Sequence, residues 1–176
     1  SPSKRNGKFT NSGMVVSVVE EDWKDFAYKG PLAALYFQNN IERKAFVAAG
    51  SNGLVAPAQK TIDFVNGKFS NVLPACSYIP GIKSTDLNEV LPEAIATRIA
   101  KALPLFNNKM RGYLHPESIL VAPESRTSSP VRIPRDRETL EHPVIQGLYP
   151  CGEGAGYAGG IVSAAIDGIL CAEKIF

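Results

Sequence analysis

Three observations predict an α+β fold for this chain. Residues 14–19, MVVSVV, are rich in β-branched side chains and read as a buried strand; several later segments repeat apolar residues at helical spacing; and an apolar stretch near the end passes through a glycine-rich turn into a helix. The composition is that of a globular chain able to bury a core: 176 residues, 44% hydrophobic and 20% charged, with a formal net charge of +2.

The first strand follows a polar entry through Gly7 and Gly13. Gly30-Pro31 then opens a helix in which Phe37, Ile41, Ala45 and Ala48 form the apolar face, Glu42, Arg43 and Lys44 form the wet face, and Gly50 is the C-terminal stop. Residues 58–65 predict a second, shorter helix ended by Asn66-Gly67. In Asp86-Leu87-Asn88-Glu89 the aspartate can accept from the third backbone N–H while the glutamate reaches back, and this capping-box arrangement predicts another short helix. Pro92 permits a further helix through Leu103, with Ile95, Ile99 and Ala102 on one side, and Pro104 limits its extension. Residues 118–122 and 131–133 predict strands, residues 136–142 a charged connection, residues 144–151 the last strand and residues 160–176 the last helix. There is no internal repeat or low-complexity tract.

Charge and cysteine content narrow the function classes. Lys and Arg number 19 against 17 Asp and Glu, and apart from Lys4-Arg5 and Arg43-Lys44 the basic residues are dispersed, which argues against a nucleic-acid partner. No apolar run reaches the ~18 residues of a spanning helix and no charged-then-apolar leader opens the chain, so no membrane partner is expected. Cys76, Cys151 and Cys171 are odd in number and show no C-x-x-C spacing, which disfavours a disulfide framework or a structural zinc site and fits a reducing, cytoplasmic setting. Cys151 could be a redox thiol, but with no partner cysteine nearby in sequence it reads as a small buried residue at a strand end. His115 and His142 each precede a proline, lack metal-ligand spacing and read as exposed or capping residues, so no metal is expected. The opening Ser1-Pro2-Ser3, without methionine, is what an excised piece of a longer protein would show.

The chemistry concentrates at the end of the chain, where Gly154, Gly156 and Gly159 spell G-x-G-x-x-G. In an ADP-binding βαβ unit such glycines let the backbone approach a pyrophosphate at a helix N-terminus, and an acid about 20 residues on accepts from the ribose. Here the chain ends at Phe176 before a second strand can carry that acid, so the ADP reading fails. A carboxylate stands instead at Glu153, after Cys151-Gly152, where it would repel a phosphate but accept well from a sugar or polyol hydroxyl. Taken alone, the glycines read equally well as a strand-to-helix turn that binds nothing. Tyr157 stacks near a ligand or packs against the sheet, and Ala164, Gly168 and Cys171 form a small-residue stripe suited to close packing.

The whole run GLYPCGEGAGYAGG, residues 147–160, together with SRTSSPVRIPRD, residues 125–136, resembles the C-terminal part of bacterial FAD-dependent dehydrogenases of the two-dinucleotide-binding-domain flavoprotein superfamily. The similarity extends back through APAQKTIDFVNGK, residues 56–68, and DLNEVLPEAIATRIAKALPLFNNKM, residues 86–110, and so covers most of the chain. The resemblance implies that G-L-Y-x-x-G-E is the second FAD motif, with Glu153 on the ribitol and Gly152, Gly154, Gly156, Gly159, Gly160 and Ile161 lining the cofactor. Reduction of a flavin leaves negative charge toward N1 and the C2 carbonyl, and the backbone N–H groups of Gly159, Gly160 and Ile161, at a helix N-terminus, would stabilise it.

The same resemblance implies the organisation. Residues 1–117 would form most of a substrate or cap domain, and residues 118–176 would return to a Rossmann-like FAD-binding domain, adding a strand and a helix. The N-terminal Rossmann unit that holds the ADP half of FAD is missing. The expected whole is a cytoplasmic FAD-dependent oxidoreductase acting on a small-molecule substrate, with the missing N-terminal FAD-binding portion as this segment's partner. The fragment alone is expected to be inactive, to retain little FAD and to self-associate over exposed apolar surface. Arg126 is the candidate catalytic residue: its fork of donors suits a substrate carboxylate or the flavin's carbonyl edge, and equally a surface ion pair with Glu124 or Glu117. Arg132 and Arg135 are expected to be solvated. The alternative function is a non-enzymatic module that binds a small anion at its glycine turn.

Overall fold

A computed structural model of the chain describes Lys4 and residues 6–175. Ser1-Pro2-Ser3, Arg5 of the Lys4-Arg5 pair and Phe176 of the expected last helix lie outside the described residues. The fold is α+β. A stretch of 3-10 turns, Glu20–Leu32, leads into α1 (Ala33–Ala48), followed by β1 (Ala56–Lys60), α2 (Thr61–Val65), β2 (Ile82–Ser84), α3 (Leu87–Val90), α4 (Glu93–Lys109), β3 (Ile119–Val121) and α5 (Ile161–Glu173). The chain forms two compact units, one of residues through Asp22 with Asn40–Pro123, the other of Trp23–Asn39 with the residues from Glu124 onward.

In the first unit β1 is the centre of a three-stranded sheet in the order β2-β1-β3, parallel to β2 and antiparallel to β3. The first three residues of the helix expected over residues 58–65 are therefore strand, and the other five form α2. The sequence APAQK has no β-branched residue, so its local preference is overridden by pairing on both sides and by burial of Pro57, Ala58 and Gln59. Pro57 cannot donate to the ladder, but its carbonyl accepts from Ala122 N at 3.1 Å. Gln59, fully buried, donates from Nε2 to Lys68 O and accepts at Oε1 from Leu87 N, each at 2.8 Å, and so ties β1 to the turn after α2 and to the start of α3.

α2 and α3 lie against both β1 and α4, and Phe64, Leu87, Val90, Ile95, Ala96 and Leu103 form the core there. Asp86 caps α3 as expected in kind, although its Oδ1 accepts from Asn88 N rather than from the third N–H. α4 runs past Pro104 to Lys109, beyond the expected limit. Pro104 removes one helical donor, while Leu103, fully buried, and Phe106, its ring tilted against Tyr113 with centroids 5.7 Å apart, anchor the helix on either side of it.

The expected strand at residues 14–19 is irregular and has no ladder partner among the described residues. Val15, Val18 and Val19 are exposed. A β-branched run becomes a strand only when a neighbour takes its hydrogen bonds. This one is fastened by Arg98, which donates to Ser17 O at 3.0 Å and makes a two-pronged pair with Asp22, both contacts at 2.8 Å.

The face expected for the first long helix is present in α1: Phe37, Ile41 and Ala45 are buried, with Ala49 next in the series rather than Ala48. Gly50 follows at φ +100°, the left-handed conformation of a C-terminal stop. In the second unit Phe26 meets Phe37 edge-on at 6.1 Å. Residues 131–133 and 144–151, both expected as strands, form no ladder among the described residues. Residues 131–133 instead run along the glycine turn with one backbone bond, Ile133 N to Ala155 O, at 3.1 Å. Residues 144–147 bend and turn, so the extended part is shorter than expected and begins at residue 148. No helix among the described residues is long and apolar enough to cross a membrane.

Candidate functional site

The glycine turn spans residues 152–156 and precedes α5. Its shape is set by two glycines in the left-handed region, Gly152 at φ +72° and Gly156 at φ +84°. Their surroundings differ. A Cβ on Gly152 would rest 3.9 Å from Ala164 Cβ, in ordinary contact, so the small-residue stripe of α5 receives the turn itself. A Cβ on Gly156 would lie 2.7 Å from Val131 O and 3.0 Å from Arg132 Cα, so this glycine makes room for the protein's own backbone. Cβ atoms on Gly154 and Gly159 would meet nothing within 4 Å. These positions border open space, and Glu153 beside them is exposed.

The turn is clamped from beneath by a pair of residues, Arg135 and Asp167. Asp167 Oδ2 accepts from Gly152 N at 2.8 Å, while its two oxygens take Arg135 Nη1 and Nη2 at 3.0 and 2.6 Å. Arg135 Nη1 also donates to Pro150 O at 2.8 Å and reaches Cys171 Sγ at 3.3 Å. The two side chains are 10% and 12% exposed, enough burial to make their pairing matter. Hydrogen bonds from Arg135 hold the Asp167 carboxyl below the usual carboxylate range against the opposing effect of burial, with a further contribution from Gly152 N. The expectation that Arg135 is solvated is corrected: its guanidinium has a buried acid to neutralise and two further acceptors to satisfy. Arg132 is exposed.

Asp167 was not among the residues singled out from the sequence. The signal was available, since it is the only charge in IVSAAIDGILCA, and a lone acid in an apolar helix implies a buried partner. Tyr157 lies with its ring 3.6 Å from Arg135 Cζ and 4.3 Å from Arg132 Cζ, and its hydroxyl donates to Ile133 O at 2.8 Å. It therefore packs on residues 132–135 rather than on a sheet. Arg132, Arg135, Arg137 and Tyr157, with Pro134 and Asp136, line an open cleft of about 310 Å³.

α5 begins at Ile161 with Gly160 as N-cap in an extended conformation, and no side chain caps this end. Its buried residues are Asp167 and Cys171, whereas Ile161, Val162, Ile166, Ile169 and Leu170 are exposed, Ile161 at 91%. Arg126 is exposed in an irregular segment. His115 and His142 serve as turn caps, their Nδ1 atoms accepting from Glu117 N and from Val144 N and Ile145 N. No group of three His, Cys, Asp or Glu side chains among the described residues is placed to hold a metal. Cys151, expected to be buried, is exposed, because the segment that carries it has no neighbouring strand to cover it.

A family model described as "FAD-dependent protein, C-terminal domain-like" matches residues 1–127. An uncharacterized protein of Clostridium beijerinckii (strain ATCC 51743 / NCIMB 8052) is 42% identical over 169 residues, 94% of this chain and 30% of that protein. The chain thus spans about a third of the length of this relative, and the relative's match reaches beyond the family match toward the glycine turn.

Proposed function

The chain belongs to the family of FAD-dependent proteins represented by their C-terminal domain-like region, and from that premise we propose that residues 147–161 supply the ribitol and isoalloxazine side of a flavin site. The observation that carries this reading is the open face of the clamped turn. Glu153 is exposed beside Gly154 and Gly159, which leave their surroundings clear for a ligand's close approach, and an uncapped helix end follows. These features suit FAD: a carboxylate for a ribitol hydroxyl, bare backbone at Gly154 and Gly159, and the N–H groups of Gly159, Gly160 and Ile161 for the carbonyl edge. Gly152 and Gly156 shape the turn. Bound flavin supplies two-electron redox chemistry; this chain's residues bind it, orient it and place a positive helix end near the ring.

In this reading residues 1–117 belong to a substrate or cap domain, and residues 118–176 return to the FAD-binding domain of a cytoplasmic dehydrogenase. The exposed face of α5 is covered by the N-terminal FAD-binding portion of the same protein, since a helix apolar on nearly all sides is built for burial. Glu153→Ala in the full-length protein is expected to weaken FAD binding by about 10- to 150-fold, the loss of a charge-assisted hydrogen bond of roughly 1.5–3 kcal/mol. Flavin titration after gel filtration checks this, and unchanged affinity in a folded variant sinks the ribitol assignment.

Arg126 is proposed to contact substrate or the flavin edge. Arg126→Lys should then lower kcat/KM by at least tenfold with flavin content unchanged, because lysine keeps the charge and loses the fork. Unchanged kinetics assign Arg126 to a surface pair. The competing reading is a non-enzymatic module that binds a small anion at its glycine turn; a full-length protein that binds inorganic phosphate but no flavin would favour it.

A further inference from the structure

The clamp that fixes the glycine turn also brings two cysteines together that lie far apart in sequence. On one side of Cys151, Pro150 O accepts from Arg135 Nη1 at 2.8 Å; on the other, Gly152 N donates to Asp167 Oδ2 at 2.8 Å. Asp167 stands one helical turn before Cys171 on α5, and Arg135 Nη1 reaches Cys171 Sγ at 3.3 Å. Cys151 is therefore held over the face of α5 that carries Cys171, a single guanidinium nitrogen touching both Pro150 O and Cys171 Sγ. Cys151 is exposed and Cys171 is buried. One thiol can be reached from outside while the other waits behind it.

We propose that Cys151 and Cys171 form a reversible dithiol–disulfide pair that exchanges with small-molecule disulfides, Cys151 being the entry thiol and Cys171 the resolving thiol. In the first step the Cys151 thiolate attacks one sulfur of a small disulfide, forms a mixed disulfide and expels the other sulfur as a thiolate. In the second, Cys171 gives its proton to solvent and attacks Cys151 Sγ, closing the Cys151–Cys171 bond and expelling the second small thiol. Two protein thiols are oxidised, one small disulfide is reduced to two thiols, and no other oxidant is needed. The neighbouring groups match this division. Burial pushes the Cys171 thiol up, the Arg135 guanidinium opposes it, and Asp167 and Cys151 add to the rise, so the buried thiol is the poorer entry nucleophile and the exposed Cys151 reacts first. The bridge ties residue 151 to α5 two residues before Glu153. In a reducing compartment such a bond is transient. The pair does not rest on the flavin reading, because it requires no cofactor.

The test uses the full-length protein in its folded state, incubated with oxidised glutathione, quenched in acid, alkylated and mapped by mass spectrometry without reduction. The expected result is a cross-linked pair of peptides containing Cys151 and Cys171, loss of both alkylation sites with Cys76 still alkylated, and recovery of both sites with dithiothreitol. In Cys171→Ser a glutathione adduct should accumulate on Cys151, and in Cys151→Ser glutathione should enter Cys171 at least tenfold more slowly. If Cys151 and Cys171 in the wild-type protein stay separately alkylated, or oxidation stops at a glutathione adduct, the pair is overturned. The wild-type map needs no variant, so it decides the matter even where a Cys171→Ser protein fails to fold.

Discussion

Asp167→Asn is expected to destabilise the second unit by about 3–5 kcal/mol, the cost of leaving one member of a buried pair without its counter-charge. An asparagine fills the same space but carries no charge to offset Arg135, whose side chain is 10% exposed. Its single carbonyl oxygen also cannot serve Gly152 N, Arg135 Nη1 and Arg135 Nη2 as the two carboxylate oxygens do. Denaturant unfolding followed by circular dichroism checks the loss, and a variant as stable as its parent would show that the clamp contributes nothing to stability. Replacing both members, Arg135→Met with Asp167→Leu, should recover most of the stability because no charge is stranded. Flavin affinity should stay low in that double variant, since neither Gly152 N nor Pro150 O keeps its anchor.

The same pair sets an acid limit. The Asp167 carboxyl titrates lower in the folded protein than the roughly 3.9 of an unfolded aspartate. Its stabilisation is therefore complete above that unfolded value and is lost as pH falls through the lowered folded one. In Asp167→Asn this share of the acid sensitivity should vanish.

Gly156→Ala is expected to cost about 2–4 kcal/mol, whereas Gly154→Ala should change stability by no more than about 0.5 kcal/mol. The two glycines are two residues apart in one motif, yet their surroundings are opposite. At Gly156 a methyl meets backbone, Val131 O at 2.7 Å and Arg132 Cα at 3.0 Å, and φ is +84°, a conformation alanine resists. Backbone cannot rotate aside, so the turn must separate from residues 131–133, losing the Ile133 N to Ala155 O bond. At Gly154 a methyl enters open space, where by the flavin reading the cofactor's approach would be blocked. Gly154→Ala should accordingly fold like the parent and bind FAD at least tenfold more weakly. Thermal melts and flavin titration of both variants separate shaping from binding, and equal stability losses would show that the motif acts only as a turn.

The sequence by itself determined the α+β class, the apolar face of α1, the cap at Asp86, the start of α4 and the glycine turn with its flanking acid. Each is written in neighbours a few residues apart: apolar residues at helical spacing, an acid ahead of a helix, glycines where φ must be positive. The FAD-dependent family was suggested by resemblance of whole runs of residues rather than by spacing, and the family match lies over residues 1–127. Tertiary structure decided what depends on distant partners. Residues 56–60 are a strand because two segments remote in sequence pair with them, whereas residues 14–19, with stronger β preference, are not a strand because none does. Pro104 lies within a helix because packing on both sides of it holds the helix together. Arg135 and Asp167, 32 residues apart, meet only in the folded chain, and that contact clamps the turn and sets Cys151 over Cys171. Spacing along a chain reports which residues share a helix turn or a strand face; which of them meet across the fold is fixed by burial and by the hydrogen bonds that burial requires.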